Sequence, residues 1–153
     1  MNLDIGKILR ILPHRTPFLL IDRVVDLEPR RSARGIKCVT YNEPFFPGHF
    51  PGTPIFPGML CLEAMGQLMC ILAYASQAID TNKQLFYVMG VEKAKFRQQI
   101  IPGDQVEVAV KVLRTRSNIW KCAGTATVND ALCVEGIVLA AITDREEQRQ
   151  SIA

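Results

Sequence analysis

From Met59 to Ile79 the chain carries one charged side chain, Glu63, in an otherwise apolar run. A helix apolar nearly all round has to be enclosed by something. A membrane is one possible enclosure. Against it, Glu63 and Gln67 sit inside the run, Gln77 and Asp80 close it, and no basic flank follows. The spacing therefore predicts a buried helix from Pro57 to about Ala78, roughly six turns long. Pro57 suits its first turn, where the missing N–H is not needed. Everything else in the chain must fold around this element.

The flanking segments supply the enclosure. Asp4 can cap a short helix carrying Ile5, Ile8, Leu9 and Leu12, ended by Pro13. Phe18 to Leu27 and Gly35 to Tyr41 read as strands, with a polar turn at Pro29 to Arg34. After the helix, Leu85 to Val91 reads as a strand and Lys95 to Ile101 as a separate extended piece. Gln105 to Leu113, Trp120 to Val128 and Leu132 to Ile142 follow as strands, the last two joined at Asn129-Asp130. One long apolar helix among several strands predicts an α+β domain, with an antiparallel sheet curled around the helix. The 153 residues make a single domain, with a polar tail from Asp144 to Ala153 expected to fray.

A net charge of +3 is too weak to argue for nucleic acid. The N-terminus lacks the profile of a secretory signal. The five cysteines are odd in number and form no Cys-x-x-Cys pair, so neither a disulfide framework nor a zinc site is expected. They read as reduced packing residues of a cytoplasmic protein, with Cys122 and Cys133 able to face each other across a hairpin.

Just before the helix, Gly48-His49-Phe50-Pro51-Gly52-Thr53-Pro54-Ile55-Phe56-Pro57-Gly58 sets a histidine among prolines and glycines. Such a loop flexes poorly and holds a side chain still. Glu63 follows as a lone acid that must find partners or shift its pKa. A base and an acid of this kind suit proton transfer. Read from the residues alone, the plainer reading of His49 is a loop histidine holding the Pro-Gly turns in place, and Glu63 is either that acid or one paired with a basic residue from elsewhere in the fold.

Four segments, taken in order, resemble the 3-hydroxyacyl-(acyl-carrier-protein) dehydratases of the FabZ type. The first runs from Leu12-Pro13-His14-Arg15 to Ile21-Asp22-Arg23. The second is Asn42 to Gly52 and the third Pro54 to Gln67. Lys95-Phe96-Arg97 with Pro102-Gly103-Asp104 completes the set. The resemblance implies the hot-dog fold and dehydration of (3R)-3-hydroxyacyl thioesters on acyl carrier protein to trans-2-enoyl thioesters, without cofactor or metal. It implies His49 as the base that takes the C2 proton and Glu63 as the acid that protonates the leaving hydroxide. The Gly58 amide would receive the thioester oxygen at the helix start. Each His49 would sit beside the Glu63 of a second subunit, in a homodimer and further in a trimer of dimers. A sister family that also isomerises the double bond carries aspartate where this chain has Glu63, which favours the plain dehydratase. Gly66 stands where alanine is frequent and Cys61 where an aliphatic residue is; both bear on the shape of the acyl tunnel.

Around this centre, Gln67 lies one turn beyond Glu63 on the same helix face, to orient the carboxyl or to satisfy a buried amide. Tyr87 matches an aromatic that gates the tunnel in some relatives, although a core tyrosine is the plainer reading, and Phe50 belongs with these tunnel candidates. His14, at a helix end, reads as a capping or hydrogen-bonding histidine. Lys93, Lys95 and Arg97, and again Arg114, Arg116 and Lys121, form either solvated strand faces or a docking patch for the acidic carrier protein. Two other functions stay in view: a thioesterase, which would aim a water at the carbonyl, and a non-catalytic acyl-carrier binding module.

Overall fold

A computed structural model describes residues 1–145. Its elements are α1 (Ile5–Ile11), β1 (Arg23–Glu28), β2 (Ser32–Cys38), α2 (Gly58–Ala75), β3 (Gln84–Phe96), β4 (Gln105–Arg116), β5 (Ile119–Val128) and β6 (Ala131–Asp144). The six strands form one antiparallel sheet in the order β1-β2-β4-β5-β6-β3. Helix α2 packs against β2 through β6, which fold around it. Met65, Leu68, Met69, Ile71 and Leu72 are fully enclosed, facing Val108, Cys122 and Val138 of the sheet in one core. A helix of this length and apolarity could cross a membrane, but two-thirds of it (67%) is buried inside the protein's own fold. Helix and sheet approach closely at two glycines, where any larger residue would push a neighbouring side chain aside. A Cβ on Gly124 would meet Met65 Sδ at 2.5 Å, and one on Gly66 would meet Val88 Cγ2 at 2.6 Å.

The element kinds match the expectation, and the boundaries differ for identifiable reasons. Asp4 caps α1 as predicted, its side chain accepting from the Lys7 N–H at 2.9 Å. The strand expected from Phe18 starts only at Arg23. Phe18 and Leu20 instead give their backbone groups to Gln67 of α2, so the non-helical stretch after α1, from Leu12 to Asp22, is a strap over the helix. Helix α2 ends at Ala75, where the Ser76 hydroxyl turns back onto the Leu72 carbonyl and Gln77 takes a left-handed φ of 57°. Pro57 caps it from outside, so Gly58 is its first residue.

The first extended piece after α2 runs on through Phe96 as one strand, β3, which takes in Lys95 and Phe96 of the second piece; Arg97 to Ile101 are not strand. Bulges at Val88/Gly90 and Glu92/Lys95, the second with Lys93 at φ 52°, break the alternation that would have revealed its length. At Asn129-Asp130 both residues take positive φ, as a tight two-residue hairpin turn requires. That turn sets Cys122 opposite Val138, so Cys122 and Cys133 do not face each other as expected. All five cysteines are free thiols, and only Cys38 is exposed. Burial pushes the Cys61, Cys70 and Cys122 thiols up to about 12. At the start of the expected tail Asp144 pairs with Gln84, and the Arg145 guanidinium donates to the Thr81 carbonyl at 3.0 Å. The rest of the expected tail, 146–153, lies outside the described residues.

Candidate active site

The loop over 39–57 delivers His49, and it is braced rather than loose. Phe50 and Thr53 exchange two backbone hydrogen bonds of 2.9 Å, the Ile55 N–H returns to the His49 carbonyl at 3.0 Å, and the Phe56 N–H reaches the Ile100 carbonyl at 2.7 Å. Phe46 and Phe56 are buried against Phe45. A buried ion pair, Lys37 Nζ to Glu43 Oε1 at 2.6 Å, pins the start of the loop to β2. Removing one member of such a pair leaves an uncompensated buried charge. Lys37→Met is therefore expected to lower stability by about 3–5 kcal/mol. Lys37→Met with Glu43→Leu should recover much of that. Urea unfolding of the three proteins checks it, and an equal loss in the double variant would contradict it.

The His49 ring is itself oriented. Nδ1 lies 2.7 Å from the Ile55 carbonyl, which can only accept, so Nδ1 carries the proton and Nε2 holds the lone pair. Phe50 stacks on the imidazole with ring centroids 4.1 Å apart and remains half exposed. A cavity of about 250 Å3 opens here, lined by His49, Ile55, Gly58, Phe96, Arg97 and Val134. As the first residue of α2, Gly58 has an amide with no acceptor in a preceding turn. A Cβ at this position would meet Phe96 Cδ1 at 2.4 Å, so any side chain here would displace the Phe96 ring. His49 and Gly58 thus line one small cavity, with Arg97, Gln98 and Gln99 also in its wall. A larger hollow of about 760 Å3, at the far end of α2 by Met1, Tyr74 and Gln84, touches none of the predicted site residues.

Glu63 lies one turn into α2 and does not line the His49 cavity. Its side chain is 26% exposed. Gln67 Nε2 donates to its Oε1 at 3.0 Å. Gln67, only 1% exposed, also accepts from the Leu20 N–H at 2.9 Å and donates to the Phe18 carbonyl at 2.8 Å. Gln67 thus has its own buried amide satisfied and also contacts the Glu63 carboxyl. His14 Nε2 lies 3.3 Å from the same Glu63 Oε1. Sequence reasoning saw no basic partner for Glu63 along α2; the partner comes from the strap. Its only sequence signal was a histidine held between Pro13 and Pro17, and nothing in the sequence says that this strap crosses α2 at Glu63.

The remaining candidates are scattered within one protomer. Tyr87 is 42% exposed on β3 and does not line the His49 cavity. Lys93, Lys95 and Arg97 are exposed at the end of β3, and Arg97 reaches the His49 cavity. The hydrogen bond from Arg97, with Lys95 nearby, holds the Glu135 carboxyl below its ordinary range. In the second basic cluster Lys121 is paired with Glu92 at 3.0 Å.

Comparison with known proteins places this geometry. A FabA-like domain model matches residues 12–137. The chain is 51% identical over 146 residues to the 3-hydroxyacyl-(acyl-carrier-protein) dehydratase FabZ of Sorangium cellulosum, covering 95% of this chain and 94% of that one. Among solved structures, it superposes on the dehydratase heterocomplex ApeI:P from Xenorhabdus doucetiae with a TM-score of 0.80 at 18% identity, covering 95% and 96% of the two chains. A hot-dog-like protein from Thermanaerovibrio acidaminovorans gives a TM-score of 0.65 at 14% identity, over 82% of this chain and 90% of that one. The sheet wrapped on α2 is thus the hot-dog fold, and the chain belongs to the FabA-like family and, within it, to the 3-hydroxyacyl-(acyl-carrier-protein) dehydratases of the FabZ type.

Proposed function

We propose that this chain is a cytoplasmic enzyme that dehydrates (3R)-3-hydroxyacyl thioesters on acyl carrier protein, with His49 as base and Glu63 as acid. The observation that carries the assignment is the orientation of His49. Its Nδ1–H is engaged by Ile55, and its Nε2 lone pair shares a cavity with the free Gly58 amide. The C2–H bond breaks and its proton passes to Nε2. The electron pair forms the C2–C3 double bond as the thioester oxygen leans on the Gly58 N–H. The C3–O bond breaks, and the departing hydroxide takes a proton from Glu63 and leaves as water. His49 then returns its proton to solvent and Glu63 recovers one. Positioned proton transfers each supply about 10²–10⁴-fold, and an amide donor at the oxyanion about 3–4 kcal/mol.

The same reading makes the site a product of two chains. Glu63 is absent from its own protomer's His49 cavity. Strand β3 is a sheet edge with one side unpaired among the described residues, and Tyr87, Met89 and Val91 stand exposed along it. Phe50, Met59 and Phe96 are exposed as well. A long apolar edge of this kind invites a second strand. In a homodimer the Glu63 of the partner subunit completes each His49 cavity, with Tyr87 and Phe50 beside the acyl chain. The assembly extends, in this reading, to a trimer of dimers, which sedimentation velocity distinguishes from a dimer.

Hydration of a crotonoyl thioester, the reverse reaction, tests the activity. Loss of enoyl absorbance without thiol release is expected; thiol release with the enoyl group intact would mean a thioesterase. Carrier docking is assigned to Lys93, Lys95 and Arg97, because they are exposed basic residues and Arg97 lines the His49 cavity. Arg97 is already paired with Glu135 at 3.1 Å, so Lys93 and Lys95 are the cleaner test. Lys93→Glu with Lys95→Glu should raise KM for carrier-bound substrate roughly tenfold, in a salt-sensitive way, and spare a short thioester mimic. Equal effects on both substrates would place docking elsewhere.

A further inference from the structure

We propose that His14 is a positioning residue for Glu63: together with Gln67 it engages Oε1, which leaves Oε2 as the atom that delivers the proton. This rests on the reading of Glu63 as the acid. The amide of Gln67 has only one possible orientation. Its oxygen accepts from the Leu20 N–H at 2.9 Å and its nitrogen donates to the Phe18 carbonyl at 2.8 Å. A backbone N–H cannot accept and a carbonyl cannot donate, so the amide cannot be flipped. The nitrogen therefore also donates to Glu63 Oε1, at 3.0 Å, and makes that oxygen an acceptor.

His14 Nε2 approaches the same oxygen, at 3.3 Å. Its other nitrogen, Nδ1, is buried without a partner among the described residues. A proton on Nδ1 would bury an unmatched donor and set two lone pairs against each other at Nε2 and Oε1, so the proton belongs on Nε2. With two donors directed at Oε1, a neutral Glu63 keeps its proton on Oε2, which has no hydrogen-bond partner among the described residues. The strap is built to hold this arrangement. The Arg15 guanidinium donates to the carbonyls of Leu9, Leu12 and His14 at 2.7–3.0 Å. The Phe18 ring stacks near the imidazole, with centroids 6.3 Å apart.

The test compares full-length His14→Phe, His14→Gln, Glu63→Gln and the His14→Phe/Glu63→Gln pair in hydration of a crotonoyl thioester. Misplacing a reacting group by about 1 Å can cost 10²-fold, so His14→Phe should lower kcat by about 10–100-fold. KM should stay within about twofold, since ground-state binding is untouched. His14→Gln should recover most of the loss, because its amide nitrogen can reach Oε1. If His14→Phe proves unstable, His14→Asn, polar but too short to reach, should show the same loss. Added to Glu63→Gln, His14→Phe should cost nothing further. An unchanged kcat in His14→Phe beside an impaired Glu63→Gln would overturn the positioning role alone, as would fully additive losses in the pair. Full activity in Glu63→Gln would overturn the acid assignment beneath it.

Discussion

Replacing His49 by alanine is expected to lower the rate of crotonoyl thioester hydration by about 10²–10⁴-fold, with the fold intact. The imidazole makes one hydrogen bond that the variant loses, to the Ile55 carbonyl, and the loop keeps its own backbone bonds between Phe50 and Thr53 and from Phe56 to Ile100. A stability loss of about 1 kcal/mol is the ordinary consequence of one such bond. The catalytic loss is larger because, among the described residues, no other basic side chain but Arg97 lines the cavity, and a guanidinium does not act as a base near neutral pH. Single-turnover measurement separates this from slow product release. A fall of less than about tenfold would mean that the C2 proton leaves by another route.

Glu63→Gln should produce a fall of similar size, since the amide keeps the volume and can still bond to neighbours but has no proton of comparable acidity to give. The more decisive result is expected from mixing. When His49→Ala and Glu63→Gln chains are unfolded together and refolded, a heterodimer with sites shared between chains contains one intact site and one doubly impaired site. Random pairing should then restore about a quarter of wild-type activity, although each variant alone is nearly inactive. Sites contained within one chain would show no recovery at all. The separation of Glu63 from the His49 cavity inside the protomer is the physical ground for expecting recovery.

Much of this arrangement was legible in the residues. The α2 helix was readable because a run with one charge has few places to go, and the Asn129-Asp130 hairpin because positive φ at two successive positions suits those residues. The proline and glycine pattern around His49 announced a rigid loop through local chemistry alone. Strand β3 was less readable, since two bulges interrupt its alternation. The segment from Phe18 misled for another reason. Leu20 and Ile21 are buried as a strand's residues would be, but the Leu20 N–H and the Phe18 carbonyl are bonded to side-chain atoms of Gln67. Local propensity cannot register a hydrogen bond made to a helix 47 residues away.

The residue types and their spacing determined on their own that an apolar helix is enclosed by strands, that a rigid loop presents His49, and that Glu63 is the lone acid of that helix. These follow from local chemistry, because periodicity, proline, glycine and an isolated charge act over a few neighbouring residues. Only the tertiary structure decided which nitrogen of His49 is free, that His14 and Gln67 converge on one oxygen of Glu63, and that His49 and Glu63 occupy separate surroundings within a protomer. Those depend on long-range contacts between the strap, the loop and α2, whose geometry is set by how the sheet closes on the helix and is written in no single stretch of the chain.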